Sequence, residues 1–554
     1  MSGNNNAEQK LRHLNSQCKV VIFPWSTSAV EFQNDDLDVG DLAKAESLDI
    51  SKYLLACNYT KGLANPSGAF SITLPNTHDW RKTIEPGYWL MIWMSNDGDL
   101  EINTVDSDKG LPEGSPEPDN KKLRCLGNVD RVAVNYVIGE NGEKDITYEI
   151  QGRDFGIVYE ETTVWLNMFK GEGKILQGYN DRLKLNSVEG LDKLLGTLHD
   201  LFLYPNGLDG FNSTKELTDI GLQFLMPRNL IKEYLKANFI KGTDPFFGNI
   251  KGVKNFNTSN IAFPVTNVLS IVKGNTWNVL KSLSLQQVHE LYTELDDNGN
   301  PKLNFRMIPW SSNLQNYPKL AFNAKRFFDL ARETAVDIDD SDIFTFNLGR
   351  DNHSRFNHYL TTQMSQQVKL ENNLELLSKA NGAHAFPYIV KSSVKRYGFR
   401  DQHTEINQTF LIKGSPKRGP TLDIFLIQNV NEFMLDIWEG SHLFDTGSLT
   451  MIGNNKVRVG KVLRVAPESE YIGDKIFYIE GYTDTFMVEE NGTGSWEQQL
   501  TLTRGIKQDA AKSISNVGLD RLGSLALNGK RNKILEVAES ENEFENLDSF
   551  VDEE

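Results

Sequence analysis

The sequence lacks long apolar runs and has only three cysteines in 554 residues. A helix that crosses a bilayer needs about 20 apolar residues, whereas the longest strongly apolar run, at 88–94, has seven. Cys18, Cys57 and Cys125 are too few for a disulfide framework, and their spacing matches no zinc motif. We therefore expect no membrane span, no signal peptide in residues 1–17, and synthesis in a reducing cytoplasm.

Basic residues are also in deficit: 58 lysines and arginines stand against 75 aspartates and glutamates, a formal net charge of −17. A protein that grips nucleic acid needs cations to neutralise phosphates, so this balance argues against such a protein. It does not argue against a protein that lets nucleic acid pass without adhering. The 39% apolar and 24% charged residues are typical of a globular chain.

The sequence contains no motif for catalysis or cofactor binding, and neither HExxH nor GxSxG occurs. A calcium loop over 294–305 fails because Phe305 stands where a carboxylate is needed. The segment GNNKVRVGK at 453–461 has the wrong spacing for a phosphate loop. Adjacent carboxylates at 160–161 and 339–340 point in different directions on a helix or strand. We therefore predict no catalytic, cofactor-binding or metal-binding residues.

Two regions of the chain have the alternating pattern of β-strands. In the first, two strand-like segments at 131–138 and 146–152 flank Asn141-Gly142, a typical hairpin turn. In the second, between 422 and 504, the loop 490–494 joins two further strand-like segments. The sequence therefore predicts two β domains, separated by other material.

The material between them has helical periodicity, with apolar residues at helical spacing over 191–204, 215–225 and 229–239. The segment 276–295 predicts an amphipathic helix that leads into a strand. The last 20 residues contain nine acids and no base. Such a run predicts a solvated, disordered tail; the alternative is a segment that folds on a partner through Phe544, Leu547 and Phe550.

Three segments together resemble the baseplate hub proteins of tailed phages. The segment 127–156 is a hairpin that closes on Gly152-Arg153-Asp154, and 475–505 is a hairpin that ends on Thr503-Arg504-Gly505. The segment 275–310 resembles the hub pattern of a Trp-bearing helix, a turn, and Arg-x-x-Pro-aromatic. Its matching residues are Trp277, Glu290, Leu291, Tyr292, Arg306, Pro309 and Trp310, with His289 where the pattern has Asn.

The resemblance implies an α+β, mainly β fold with two tail-tube-like β-barrel domains, a helical insertion and an acidic disordered C-terminal tail. We accordingly divide the chain into six parts. These are an N-terminal extension (1–17), a first β-barrel (18–158), a helical or mixed insertion (159–262), a mixed region contributing to the second barrel (263–384), a second β-barrel (385–508) and the acidic tail (509–554).

The resemblance further implies a homotrimer, not an enzyme, that joins a six-fold tail tube to a three-fold central spike in the virion. Its partners would be itself, the tail tube protein and the central spike protein, with the tape measure protein and the baseplate wedge as further candidates. It would assemble in the host cytoplasm, and DNA would pass through its channel without specific binding. An acidic lumen would repel phosphates, with which the net charge agrees.

The motif residues have structural or subunit-interface roles in this interpretation. Arg153, Asp154 and Arg504 would form ion pairs or backbone hydrogen bonds at strand ends, or contact a neighbouring subunit. Gly152 and Gly505 would permit special backbone angles or close approach. Alternatives are a spike subunit of a type VI-like injection system, a hub-fused cell-wall hydrolase, and a carbohydrate-binding or adhesin module.

Overall fold

The computed structural model shows a chain built mainly of antiparallel strands around one large sheet. It describes residues 15–24, 47–105, 111–114, 119–138, 144–161, 163–164, 256–258, 265–266, 274–283, 289–310, 330–350, 356–363, 388–389, 391–406, 408–409, 434, 444–466, 469, 472–489 and 492–507.

Strands and four short helices account for most of this described part. The first group of strands is β1 (Gln17–Phe23), β2 (Leu48–Asp49), β3 (Ala56–Gly62), β4 (Ala69–Pro75), β5 (Trp89–Ser95), β6 (Leu123–Ile138), β7 (Lys144–Asp154) and β8 (Thr163–Val164). The second is β9 (Phe256–Thr258), β10 (Val265–Thr266), β11 (Gly274–Asn275), β12 (His289–Leu295), β13 (Pro301–Met307), β14 (Ala335–Ile338) and β15 (Ile343–Gly349). The third is β16 (His358–Gln363), β17 (Tyr388–Ile389), β18 (Asp401–Ile406), β19 (Gln408–Thr409), β20 (Asp445–Ile452), β21 (Val462–Val465), β22 (Lys475–Val488) and β23 (Gly494–Lys507). The helices are α1 (Trp80–Thr83), α2 (Ile157–Glu161), α3 (Thr276–Leu283) and α4 (Lys391–Tyr397).

The centre of the large sheet is a run of eight strands in the order β15-β20-β23-β22-β3-β4-β7-β6. Every neighbouring pair in this run is antiparallel. The two strand-rich regions of the sequence therefore meet in one continuous sheet. Their contact is the pair β22–β3, in which residues 481–487 lie opposite 62–56.

The eight strands consist of two units with the same topology. In the first unit the chain order β3, β4, β6, β7 becomes the spatial order β3-β4-β7-β6; in the second, β15, β20, β22, β23 becomes β15-β20-β23-β22. Each unit has its last two strands in a long hairpin, β6–β7 and β22–β23. The fold is thus an internal repeat, which sequence periodicity alone does not reveal.

The third strand of each unit has two halves with different neighbours. The first half of β22, 476–478, pairs with β21, and its second half pairs with β3 of the other unit. The first half of β6, 123–128, likewise pairs with β5. Among the described residues, the second half of β6 (131–138) has no strand on this side. Within the described ranges, the equivalent of the β22–β3 contact is therefore missing at β6.

One face of the sheet builds the hydrophobic core and the other is polar. Phe70, Ile72, Ile150, Tyr482 and Leu500 lie on the core face and are buried. Side chains alternate along a strand, so their sequence neighbours point to the opposite face. A row of registered residues crosses that face on five strands: Thr345, Thr450, Gln499, Thr483 and Thr60.

The sheet is strongly bent, as an ion pair between distant strands shows. In a flat sheet β6 and β22 would be four strand spacings apart, about 19 Å at ~4.8 Å each. Arg124 Nε at the start of β6 nevertheless donates to Asp484 Oδ2 of β22 at 2.8 Å, and both side chains are buried. Arg124 Nη1 also donates to the Val457 carbonyl at 2.9 Å. The start of β6 therefore folds back over the second unit.

The prediction of a mainly β protein is confirmed. Both predicted hairpins form, as β6–β7 and β22–β23, and 276–295 begins as a helix and continues as a strand. Most of the predicted insertion and the whole acidic tail lie outside the described residues. The six domain boundaries stay a prediction, although β14 and β15 do lie in the sheet with β20–β23.

Asp484→Asn should destabilise the protein strongly, because it leaves the Arg124 guanidinium buried without its carboxylate. Loss of one partner of a buried ion pair costs about 3–5 kcal/mol, to be measured by urea unfolding. Asp337→Asn breaks the exposed pair with Arg464 and should cost less than about 1 kcal/mol. Equal effects of the two substitutions would contradict the claim that the buried Arg124–Asp484 pair holds the start of β6 over the second unit.

Candidate functional site

Asp154 is the last residue of β7, and its carboxylate accepts hydrogen bonds in a buried cluster. Its Oδ2 accepts from Lys61 Nζ at 2.5 Å and from the Tyr59 hydroxyl at 2.9 Å. Lys61 Nζ also donates to Thr293 Oγ1 at 2.7 Å and to the Pro66 carbonyl at 3.0 Å. The cluster joins β3, β7 and β12. Asp154 is therefore bonded to Lys61 and not to its neighbour Arg153.

Arg153 lies on the opposite face of β7 and is one-third exposed. Its guanidinium makes a two-pronged pair with Asp130 at 2.8 and 3.0 Å. It also contacts Glu160 at 3.0 Å and Glu161 at 2.9 Å, both on α2. Hydrogen bonding to Asp130 raises the pKa of Arg153 above its ordinary value. The residue links the end of the hairpin to the chain that leaves it; its contact with another subunit stays a prediction.

The two motif glycines occupy equivalent places in the two units, near the ends of β7 and β23. A Cβ on Gly152 would lie 2.0 Å from the Asn128 carbonyl oxygen and 2.4 Å from Phe70 Cζ. A Cβ on Gly505 would lie 2.3 Å from Phe477 Cε1. Neither glycine has a positive φ. Close approach of a ring and a strand therefore requires glycine at both positions.

The hairpin β12–β13 is bonded to the sheet through buried polar contacts. Glu290 Oε2 accepts from the Tyr478 hydroxyl at 2.6 Å, and Glu290 Oε1 forms an ion pair with Arg306 Nε. Arg306 Nη2 donates to the Gly460 carbonyl at 2.7 Å. Burial raises the pKa of Tyr478 well above its ordinary value, so its hydroxyl remains a donor. Glu290 and Arg306 thus hold β12–β13 against β22.

A second Glu–Tyr pair makes the same kind of contact further along β12 and β22. Glu294 Oε1 accepts from the Tyr482 hydroxyl at 3.4 Å, and Glu294 Oε2 accepts from the Val459 amide at 3.0 Å. The two Glu–Tyr contacts are four residues apart on β12 and on β22. Strand β12 therefore runs alongside β22 in a fixed register.

Arg504 lies between two aromatic rings at the end of β23. Its guanidinium carbon is 5.0 Å from the centroid of Trp310 and 5.3 Å from that of Phe444. Burial lowers the pKa of Arg504 to about 10, against the opposing charge of Glu480. Among the described residues, Arg504 is the one non-glycine with positive φ, 56°. Its surroundings are structural: Trp310 also packs edge-on against Tyr478 at 5.2 Å.

The remaining motif residues pack the segment between the two units. Trp277 of α3 is buried, and its ring centroid lies 6.4 Å from that of Tyr159 of α2. Pro309 is buried beside Trp310, just after β13. The structure therefore brings Glu290, Arg306 and Trp310 together around Tyr478, and keeps Trp277 in a separate contact with Tyr159, just after the end of β7.

Sequence reasoning missed the buried charges Lys61, Arg124, Glu294 and Asp484. One signal was present: Lys61 follows Cys57 and Tyr59 at alternate positions, and Asp484 stands between Tyr482 and Phe486. A charge at a core-facing position of an apolar strand predicts a buried partner. Identifying the partner needs the sheet order, because Arg124 and Asp484 are 360 positions apart.

Two strand edges of the sheet are open and apolar in the part of the chain that the structure describes. Strand β15 pairs only with β20 there, and Phe344 and Phe346 are 51% and 44% exposed. On the second half of β6, Tyr136 and Ile138 are 50% and 62% exposed. Phe346 lies opposite buried Leu449, so it belongs to the core face. Uncovered core-face side chains at an open edge mark an interaction surface.

The described residues contain no group of three or more His, Cys, Asp or Glu side chains that could hold a metal ion. Within the same ranges, no helix has the length and apolarity to span a membrane. The features that the described residues do present are open strand edges, buried ion pairs and a polar sheet face. These features fit binding and assembly.

Phage tail proteins, the class that the sequence motifs resemble, occur among the similar solved structures. The tail protein from Neisseria meningitidis MC58 aligns at 10% identity and a TM-score of 0.40, over 88% of this chain and 96% of its own. The 43 kDa tail protein of prophage MuSo2 from Shewanella oneidensis aligns at 10% and 0.40, over 89% and 98%. A Francisella PdpA-VgrG complex aligns at 10% and 0.36, over 91% of this chain and 61% of the other. No known protein family and no curated protein matches the sequence.

Gly152→Ala should destabilise the protein, since its new methyl group would overlap a backbone carbonyl and the Phe70 ring. Overpacking of this kind costs about 1–3 kcal/mol, measurable as a lower midpoint in urea. Gly349→Ala is the matched control, because a Cβ there meets nothing within 4 Å. Equal midpoints for Gly152→Ala and the wild type would contradict a requirement for close approach.

Proposed function

We propose that three copies of the chain form a ring in which β15 of one copy pairs with the second half of β6 of the next. The ring would be the structural, non-catalytic hub of a phage tail baseplate. The observation that carries this proposal is the internal repeat. Within one chain, β22 of the second unit pairs with β3, the first strand of the first unit. The equivalent partner of β6 is the first strand of a second unit, which is β15 of another copy.

The geometry of the two edges supports this pairing. Strands β3 and β15 have seven residues each. In the described part of the chain, the half of β6 with an open edge follows a half that pairs with β5, just as the β3-paired half of β22 follows a half that pairs with β21. The run has eight antiparallel strands, an even number, so β15 and β6 point in opposite directions. Antiparallel order would therefore continue across the junction. The same junction would cover Phe346 on one side and Tyr136 on the other.

The contact joins two different surfaces of the chain, and such head-to-tail contacts produce closed rings or open filaments. Three copies of two units give six similar units around one axis. Such a ring has three-fold symmetry and approximates six-fold symmetry, so it can join a three-fold spike to a six-fold tube. The tail tube and central spike proteins are thus the proposed partners, in the virion tail, with the tape measure protein and the wedge as further candidates.

The polar face of the sheet would line the channel of this ring. Its central row consists of hydroxyl and amide side chains on five strands, and Thr60 Oγ1 lies 3.0 Å from Thr483 Oγ1. Glu149 on this face accepts from Ser71 and Gln151 at 2.8 Å each, and Asp145 and Glu497 are exposed on it. A face with few free cations offers DNA phosphates little to bind. Hydroxyl and amide side chains, with exposed acids among them, would let DNA pass.

The same ring would serve the spike of a contractile injection system, which is the second candidate. The open edges and the repeat favour it equally. The scarcity of free cations on the proposed channel wall distinguishes the two candidates, because a channel for protein need not be free of cations. A hub-fused hydrolase or a carbohydrate-binding module has no site among the described residues that favours it.

Light scattering of the purified protein should give a mass of about 188 kDa, three times 62.7 kDa, with ring-shaped particles in negative stain. Phe344→Glu/Phe346→Glu should reduce the mass to that of one chain, because the charges would disrupt the β15 side of the junction. Both side chains are already exposed, so the fold should tolerate the change. Val105→Glu, at a residue 73% exposed elsewhere, is the control and should stay trimeric.

Mixing two edge variants tests the head-to-tail arrangement directly. Tyr136→Glu/Ile138→Glu should also be monomeric, since it disrupts the other side of the junction. An equimolar mixture of this variant and the β15 variant retains one intact junction and should form dimers that grow no further. A mixture that stays monomeric, or edge variants that remain trimeric, would contradict the proposed pairing.

Thr60→Lys/Thr483→Lys should create DNA binding in a protein that otherwise lacks it. Each ring would gain six lysines on the proposed channel wall, and binding should weaken steeply with salt. Electrophoretic mobility shifts with short duplex DNA between 50 and 200 mM salt would measure it, with Val105→Lys as the control. If intact rings carrying the two lysines bind DNA no better than that control, this face does not line a DNA channel.

A further inference from the structure

The last turn of α4 and the residues after it are basic in a chain that is acidic overall. Residues 391–400 contain four bases and no acid, against a net charge of −17 for the whole chain; the next residue is Asp401. Lys395 and Arg396 are exposed, and Phe399 is 59% exposed. Two exposed cations thus stand beside an exposed aromatic ring, and we name Lys395, Arg396 and Phe399 the basic turn.

The basic turn is held in place by a buried asparagine. Asn357 has no solvent exposure, and its Nδ2 donates to the Gly398 carbonyl at 2.6 Å. Its Oδ1 accepts from the Arg400 amide at 2.9 Å, and its own amide donates to the Arg400 carbonyl at 3.0 Å. Gly398 adopts φ of 80°, which favours glycine. The side chains on both sides of Gly398 are therefore presented on a fixed backbone.

The exposed side chains also have aromatic supports. The Arg396 guanidinium carbon lies 5.2 Å from the ring centroid of Tyr397. The Phe399 ring centroid lies 5.0 Å from that of His358 on β16. Such contacts reduce the conformational entropy that a ligand must remove on binding. The surface is thus preorganised for a ligand that offers carboxylates and apolar groups together.

We propose that the acidic C-terminal segment, residues 535–554, binds to the basic turn. This segment has nine acids and no base, with Phe544, Leu547 and Phe550 spaced three apart among the acids. Its carboxylates match Lys395 and Arg396, and its apolar side chains match Phe399. Charge complementarity and the mixed acidic and apolar sequence favour this occupant, which the chain itself supplies.

The chain that connects the segment to the sheet is long enough for binding within one copy or between neighbours. Residues 508–534 separate it from the end of β23, and 27 residues can span at most about 90 Å. Attachment to the same polypeptide gives the segment a local concentration in the millimolar range. A contact that is weak between separate molecules would therefore be populated.

The test places a photo-cross-linking benzoylphenylalanine at Leu547 in the full chain and maps the cross-links by mass spectrometry. Cross-links should concentrate at 391–403 and fall at least tenfold in Lys395→Glu/Arg396→Glu. They should also fall at 0.5 M salt, since the contact is partly ionic. Lys121→Glu/Lys456→Glu changes the net charge equally at two exposed lysines elsewhere, and should retain the cross-links.

Three outcomes would overturn the proposal: cross-links that lie elsewhere, cross-links that survive the charge reversal, or a turn that binds single-stranded DNA while the tail stays unattached. The last result would make the turn a nucleic-acid site. A mixture of isotopically labelled and unlabelled chains shows whether the tail binds its own copy or a neighbour. Since a monomer can bind its own tail, failure of the ring and failure of this contact are distinguishable.

Discussion

The pairing of β22 with β3 is the interaction on which the rest of the sheet depends. It joins residues 481–487 to 62–56, and without it the two units would each end in an open edge. Closing so long a loop costs only a little more entropy than closing a short one, because the cost grows with the logarithm of loop length. One strand pair, supported by the Lys61 and Tyr482 contacts on its core side, can therefore unite regions far apart in sequence.

Buried polar groups fix how the hairpin β12–β13 packs against that junction. Apolar packing alone tolerates sliding, whereas Glu290 and Glu294 meet Tyr478 and Tyr482 in only one register. A shift would leave buried carboxylates without donors, at a cost far above that of an imperfect apolar contact. The hairpin also reaches Lys61 through Thr293. Its polar contacts therefore determine the relative placement of the two units more than they add to stability.

Local features of the fold could be predicted from the sequence, and non-local ones could not. Asn141-Gly142 and the loop 490–494 define hairpins because turn chemistry acts within a few residues. The helix-to-strand change across 276–295 could likewise be read from its periodicity. The β22–β3 junction has no local signal, since its strands resemble any half-buried strands. Of the candidate site, the motif glycines and Glu290–Arg306 were found, but the charges that pair across strands were not.

The internal repeat constrains how copies of the chain can be joined to one another. A four-stranded antiparallel unit begins and ends with strands of opposite direction, so copies of it can be joined edge to edge indefinitely without a parallel pair. In the described part of the chain, one such junction is made internally, and a β15 edge and a β6 edge are left open. Exposed edges normally carry charges or bulges that discourage pairing, whereas Phe346 and Tyr136 favour it. An edge of this kind is useful only where a partner strand covers it, and in the proposed ring β15 and β6 of neighbouring copies meet that requirement in direction, length and polarity.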